Sequence, residues 1–198
     1  VALVIIFQPE LRKILEKMGQ SNFLTSALRA GKASPEDKRY SDNTINEIVR
    51  ASFEMGEMRT GALIVFEKMI ILQEYINTGI PIDGVISSQL LLNIFEHNTP
   101  LHDGAVIVRG DRIMAATCYL PLSDNMGLSK KYGTRHRAAI GISEVSDSLT
   151  IVVSEETGSV SYAMNGQLRS AVTPSELREL LIREQTAAQR QTIHRHRG

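Results

Sequence analysis

Five consecutive apolar residues, Ala62-Leu63-Ile64-Val65-Phe66, constrain the fold more than any other stretch. A strand with water on one face alternates apolar and polar residues, whereas an unbroken apolar strand is one covered on both faces. Gly61 marks the point where helical spacing gives way to this run. The chain is therefore read as α/β, a single domain with a central mixed β-sheet flanked by helices on both faces. At 198 residues it is long enough for one sizeable domain.

The other segments fit that plan. Pro9-Glu10 opens a helix whose apolar stripe is Leu11, Ile14, Leu15 and Met18. The polar stretch 31–43 reads as a loop. Ile45, Ile48, Val49, Ser52 and Phe53 mark a second helix, with Ser41, Asp42 or Asn43 as its cap. Val85-Ile86-Ser87 is a short strand candidate, and 89–95 is apolar enough for a buried helix. Ala105 to Val108 and Ile113 to Tyr119 read as a hairpin around Gly110-Asp111. Residues 137–144 fit helix or strand, and the small residues and the capping chemistry of Thr134 favour helix. Leu149 to Val153 and Val160 to Ala163 read as strands, and Asn165-Gly166 as a hairpin turn. Pro174-Ser175-Glu176 begins a last helix ending near Gln185. Met55, Met58 and Met69 are read as core rather than contact surface. Residues 188–198, with Arg190, His194, Arg195, His196 and Arg197, read as a disordered basic tail.

Charge narrows the function. The 22 basic and 22 acidic residues cancel, so bulk attraction to nucleic acid or an anionic membrane is not indicated. Any anion site must be local. The lone cysteine, Cys118, excludes an internal disulfide, fits a reducing cytosol and reads as a small buried hydrophobe. No Gly, four residues, Gly-Lys-Ser/Thr pattern occurs, which excludes a kinase or ATPase of the P-loop class.

Two polar islands carry the chemistry. Leu101-His102-Asp103-Gly104-Ala105 runs into Val106-Ile107-Val108, and Gly133-Thr134-Arg135-His136-Arg137 runs into Ala138-Ala139-Ile140-Gly141-Ile142. Ionisable groups at the edge of a core are held in place and partly desolvated, where charge acts most strongly. Asp103 fits either a turn aspartate or the partner of a sugar hydroxyl, with Gly104 offering no side chain to obstruct approach. His102 fits either a hydrogen-bonded structural histidine or a divalent-metal ligand. Thr134 can cap a helix while its hydroxyl and the following amides face an anion. Arg135 and Arg137 can grip phosphate bidentately, but two positions apart on a helix they point in different directions. Arg137 thus fits a phosphate, a partner subunit or a brace for Asp103, and His136 a phosphate donor or an orienting group. Ser154, Glu155 and Glu156 follow the 149–153 strand, and strand ends are where α/β sheets place ligands; the alternative is a solvated loop.

The chain resembles the diadenylate cyclase family. Asp103-Gly104-Ala105 and Arg135-His136-Arg137 are similar to its DGA and RHR signatures. Val4-Ile5-Ile6-Phe7-Gln8-Pro9-Glu10-Leu11-Arg12, Ile94-Phe95 through Asn98-Thr99-Pro100, Cys118-Tyr119-Leu120-Pro121-Leu122 and Val153-Ser154-Glu155-Glu156-Thr157-Gly158 resemble the membrane-anchored, CdaA-type subclass, over about Val1 to Leu180. The resemblance implies condensation of two ATP into cyclic di-AMP and two pyrophosphates across a face-to-face homodimer. It implies catalytic roles for Asp103, Gly104, Arg135 and His136. It implies nucleotide contacts for these residues and for Ala105, Tyr119, Leu120, Thr134, Arg137, Ser154 and Glu156, with Tyr119 and Leu120 around adenine. A catalytic Mn²⁺, Mg²⁺ or Co²⁺ would be held largely by the nucleotide phosphates, with His102 and Glu156 as protein ligands. The apolar start, residues 1–8, would then follow upstream membrane helices, leaving 9–187 as the catalytic domain. The full-length protein would sit on the cytoplasmic face of the membrane, with a YbbR-domain regulator and phosphoglucosamine mutase as regulatory partners. Two other readings compete. One is a catalytically silent adenine-nucleotide-binding module, disfavoured by the presence of Asp103. The other is a metal phosphohydrolase, disfavoured because His97 is the only other histidine near His102.

Overall fold

The computed structural model describes residues 39–125 and 132–195, with side chains as far as Gln185. The helix expected from Pro9 and the apolar start lie outside the described residues.

The predicted two-faced strand is β1 (Ala62–Phe66), buried at every position. It sits near the middle of a seven-stranded sheet with β2 (Ile80–Val85), β3 (Ala105–Arg109), β4 (Arg112–Cys118), β5 (Leu149–Val153), β6 (Val160–Met164) and β7 (Gln167–Arg169), in the order β2-β4-β3-β1-β5-β6-β7. β1 runs parallel to β3 and antiparallel to β5, which makes the sheet mixed as expected. Side chains alternate across it. Ala62, Ile64 and Phe66 face α1 (Asp42–Glu57), α3 (Ser88–Phe95) and α5 (Pro174–Arg195), meeting Ile48, Leu91 and Leu181. Leu63 and Val65 join the opposite cluster with α2 (Gln73–Ile76) and α4 (Thr134–Val145), meeting Leu72, Ala139 and Ile140. Each fully buried Ile or Phe contributes about 1.5–3 kcal/mol by leaving water. Truncating Ile64 to Ala would cost about 2–5 kcal/mol.

Local chemistry explains most boundaries. Ser41 caps α1, its Oγ accepting the Thr44 N–H at 3.2 Å. Gly110 (φ +59°) turns the β3–β4 hairpin, and Asn165 (φ +52°) with Gly166 (φ +73°) turns β6 into β7, both in the left-handed region such turns require. Cys118 is buried, as expected, and burial pushes its thiol up to about 11.

Some expectations change. The strand expected over 85–87 is β2, ending at Val85. Pro81 and Gly84 hide it, because an edge strand tolerates both through a bulge between them. Ser87 instead caps α3 through the Leu90 N–H. The last helix continues past Gln185 to Arg195. Met55 is core, but Met58 and Met69 are 52% and 58% exposed, at a helix end and in a loop.

The sheet edge beyond the C-terminal end of β1 is closed by carboxylates. Glu67 is buried, accepts the Leu72 N–H at 2.8 Å and pairs with Arg109 at 2.5 Å. Asp147 accepts the Met69 and Ile70 N–H groups at 3.0 and 3.1 Å. Asp111 accepts the Ser41 N–H and the Thr44 hydroxyl, both at 2.7 Å.

Candidate active site

Strand register brings the two islands together. Ala62 pairs with Val153, Ile64 with Val106 and Ala105 with Cys118. The residues just before β1 and β3 and just after β4 and β5 therefore share one edge of the sheet. These are Gly61, His102 to Gly104, Tyr119 and Leu120, and Ser154 to Glu156. Their strands are adjacent in the order β4-β3-β1-β5, so the row spans about 14 Å at the usual strand spacing. That width suits an elongated ligand.

The N-terminus of α4 closes on this row. Arg135 Nη1 donates to Glu155 Oε2 at 2.6 Å. Gly133, Thr134, Arg135 and His136 line an open pocket with Val153, Ser154, Glu155 and Glu156. The expected cap is corrected here: Gly133 occupies the capping position, without a side-chain bond, and Thr134 is the first helical residue. The first-turn amides thus keep no side-chain acceptor, the condition under which a helix start takes an anion. The Nε of Arg135 is buried without a hydrogen-bond partner among the described residues.

The two arginines diverge as their spacing requires. Arg137 is half-buried, and among the described residues no hydrogen bond or ion pair engages its side chain; none joins it to Asp103. Its carbonyl accepts the Ser123 N–H at 3.0 Å. Gly141 lets this segment lie on α4, since a Cβ there would fall 2.2 Å from the Pro121 carbonyl oxygen. His136 is buried, its ring 5.2 Å from that of Tyr132. Burial pushes its imidazole below the ordinary value, and the charge of Glu156 opposes the shift in part.

Asp103 is exposed and makes no hydrogen bond among the described residues. The turn beneath it is tightly fixed. Gly104 has φ +112°, and a Cβ there would lie 2.8 Å from the Thr117 carbonyl carbon. The missing side chain therefore makes room for the β4 backbone beneath the turn. Thr117 itself holds φ +59°, a costly conformation for a β-branched residue, and its hydroxyl donates to the Leu101 carbonyl at 3.2 Å. Ala105 is fully buried in the second apolar cluster, so its methyl is closed to a ligand.

His102 Nδ1 lies 2.6 Å from the Thr99 carbonyl, which can only accept, so Nδ1 carries the proton. In the neutral ring Nε2 then keeps its lone pair, the arrangement of a metal-ligating histidine. Among the described residues no group of three or more His, Cys, Asp or Glu forms a metal site. A cation here would need further ligands from its substrate. Glu156 faces His136 electrostatically, whereas His102 precedes β3, two strands away in the sheet order.

Tyr119 is 68% exposed. Its N–H donates to Thr78 Oγ1 at 2.9 Å, and that hydroxyl donates to the Tyr75 carbonyl at 2.6 Å. Leu120 packs half-buried on the second cluster. Ser154 opens a tight turn, its carbonyl accepting the Gly158 N–H at 2.8 Å and its Oγ the Thr157 N–H at 3.3 Å. Sequence reading gives no role to Gly61, Thr78 or Thr117. Each acts on a residue distant in sequence, and only a glycine directly before a buried strand left any trace.

The fold is an α/β domain whose mixed sheet carries a helix N-terminus, an exposed carboxylate and an exposed aromatic along one edge. The chain matches the DAC family, described as DisA bacterial checkpoint controller nucleotide-binding, over residues 49–168, and it belongs to that diadenylate cyclase family. It is 51% identical over 184 residues to the cyclic di-AMP synthase CdaA of Bacillus subtilis and 50% identical to a diadenylate cyclase of Listeria monocytogenes. Both matches cover 93% of this chain, and the chain spans 65% of the length of each relative. A crystal structure of a double-cysteine variant of Staphylococcus aureus DacA superimposes with a TM-score of 0.71 at 51% identity, covering 72% of this chain and 95% of that one. A protein from Bacillus cereus described as hypothetical and membrane-spanning gives 0.64 at 36% identity, covering 86% of this chain and 80% of that one.

Proposed function

We propose that this chain is the catalytic part of a diadenylate cyclase, condensing two ATP into cyclic di-AMP with release of two pyrophosphates. The observation that carries this reading is Asp103. It is an exposed carboxylate with no partner among the described residues, on a turn fixed by Gly104 and Thr117, along the same sheet edge as the start of α4, which has no side-chain cap.

Each ribose 3′-oxygen forms a bond to the α-phosphorus of the other ATP. The bond from that phosphorus to the bridging oxygen breaks, and pyrophosphate leaves. Asp103 orients the attacking hydroxyl and takes its proton. Arg135, with the Thr134 hydroxyl and first-turn amides, stabilises negative charge on the phosphate. Tyr119 stacks on adenine, its backbone steadied by Thr78. A divalent cation, Mn²⁺, Mg²⁺ or Co²⁺, would be held largely by the nucleotide phosphates and would neutralise their charge; His102 Nε2 and Glu156, two strands apart, would each offer it a single protein ligand rather than a shared site.

The described residues offer one such row, and the reaction joins two nucleotides with opposed reacting ends. The active form is therefore a face-to-face homodimer. The same reading takes the full-length protein as membrane-anchored, with a YbbR-domain regulator and phosphoglucosamine mutase as partners. It rests on the resemblance and on the description of the Bacillus cereus relative. Among the described residues no helix is long and apolar enough to cross a membrane.

Incubation with ATP and Mn²⁺, followed by mass analysis of the products, tests the proposal. Cyclic di-AMP is expected, with specific activity rising with protein concentration until sedimentation reports a dimer. ATP binding without product identifies a silent binding module instead.

A further inference from the structure

We infer that Glu155 is a positioning residue for Arg135, holding its guanidinium over Gly61 so that Nη2 is set toward phosphate before nucleotide arrives. Three elements meet at this point. Arg135 comes from the first turn of α4, Glu155 from the turn after β5, and Gly61 from the residue before β1. The Arg135 Nη1 to Glu155 Oε2 bond is 2.6 Å long. A Cβ on Gly61 would stand 2.7 Å from Nη1, 2.9 Å from Glu155 Oε2 and 3.0 Å from the guanidinium carbon. The pair therefore occupies the space that any other residue at position 61 would fill.

The geometry favours positioning over simple stability. The Glu155 side chain is 54% exposed, and an ion pair so exposed adds little to folding. Glu155 uses only one contact to Arg135, at Nη1. Nη2 makes no hydrogen bond among the described residues, and the buried Nε has no partner. One end of the guanidinium is thus fixed while the other stays free. A planar cation fixed at one edge loses little further freedom when it binds phosphate.

The inference rests on the phosphate-binding reading of Arg135, so the test has a binding arm and a turnover arm. Removing the anchor in Glu155→Ala is expected to weaken ATP binding ~10-fold and to lower kcat a further ~10-fold, as misplacement of a positioning group does. Glu155→Gln keeps an acceptor oxygen and is expected to restore most of both. Gly61→Ala leaves both charges but pushes the pair aside through flexible side-chain ends, so it is expected to copy Glu155→Ala. Thermal midpoints should stay within ~2 °C of the parent in the Glu155 variants. In an Arg135→Ala background, Glu155→Ala is expected to change ATP affinity no further. An equal loss in that background would assign Glu155 a direct ligand role and overturn the inference. So would tighter ATP binding in Glu155→Ala, which would make Glu155 a competitor of phosphate. If the parent chain makes no cyclic product, the cyclase reading fails, while the binding arm still decides the role of Glu155.

Discussion

The two ends of the sheet use the same residue types for opposite purposes. Beyond the C-terminal end of β1, Glu67, Asp147 and Asp111 each accept two or more hydrogen bonds from neighbouring backbone, hydroxyl or guanidinium groups. At the other end Asp103 accepts none among the described residues, Arg135 has one anchored nitrogen and one orphaned one, and the start of α4 has no side-chain cap. Of these only the Arg135 Nε is buried, where a donor without a partner costs stability; Asp103 and the start of α4 face water and stay open to a ligand. The closed end holds the fold. The open end retains its hydrogen-bonding capacity for something the chain does not itself contain.

The comparison breaks most readily at Asp103. Asp103→Asn keeps the shape and removes the charge that accepts a proton. Cyclic di-AMP formation is expected to fall ~10²- to 10⁴-fold, with ATP still bound and the melting temperature unchanged. Near-normal product formation would remove Asp103 from the mechanism. The mirror experiment is at the closed end. Glu67→Ala strips Arg109 and the Leu72 N–H of their acceptor in a buried setting, and a loss of about 2–3 kcal/mol in unfolding free energy is expected. Turnover per folded molecule should be unchanged. Chemical denaturation with a parallel activity assay separates the two. A stable Glu67→Ala protein, or an Asp103→Asn protein that unfolds early, would erase the division.

Much of this was legible in the sequence because the signals are local. The apolar run at 62–66 gave β1 its place and required helices on both faces. Gly110-Asp111 and Asn165-Gly166 marked hairpins by turn chemistry alone, and Ser41 marked a cap. The islands pointed to one site because each sits at the edge of a buried segment. What stayed hidden depends on register and tertiary contact. Nothing in Thr78 announces that it will hold the Tyr119 N–H, 41 residues later. The value of Gly104 lies in the closeness of Thr117, itself in a conformation that no propensity would assign to threonine. β2 was displaced because Pro81 and Gly84 break the strand pattern, and only an edge position excuses them. Arg135 and Glu155 come together only once Gly61 is seen between them.

The smallest expected effect concerns a buried imidazole at the open end. His136 lies under the start of α4, against Tyr132, and burial holds its imidazole below the ordinary value of 6.5. The folded chain therefore keeps the ring neutral where the unfolded chain begins to protonate it. Below about pH 6.5 the unfolded state binds more protons than the folded state, so stability falls as pH drops from there toward the folded value, and is fully present above. His136→Phe keeps a ring and removes the proton site, so its unfolding free energy should decline less than the parent's between pH 7 and 5. Glu156 favours the charged ring, and Glu156→Gln should steepen the parent's decline. Denaturant melts of the three proteins across that range, compared by slope, cancel the titrations they share. Parallel slopes would mean that His136 takes up its proton as easily folded as unfolded. The open end would then hold its charges entirely in water, with no buried member to sense them.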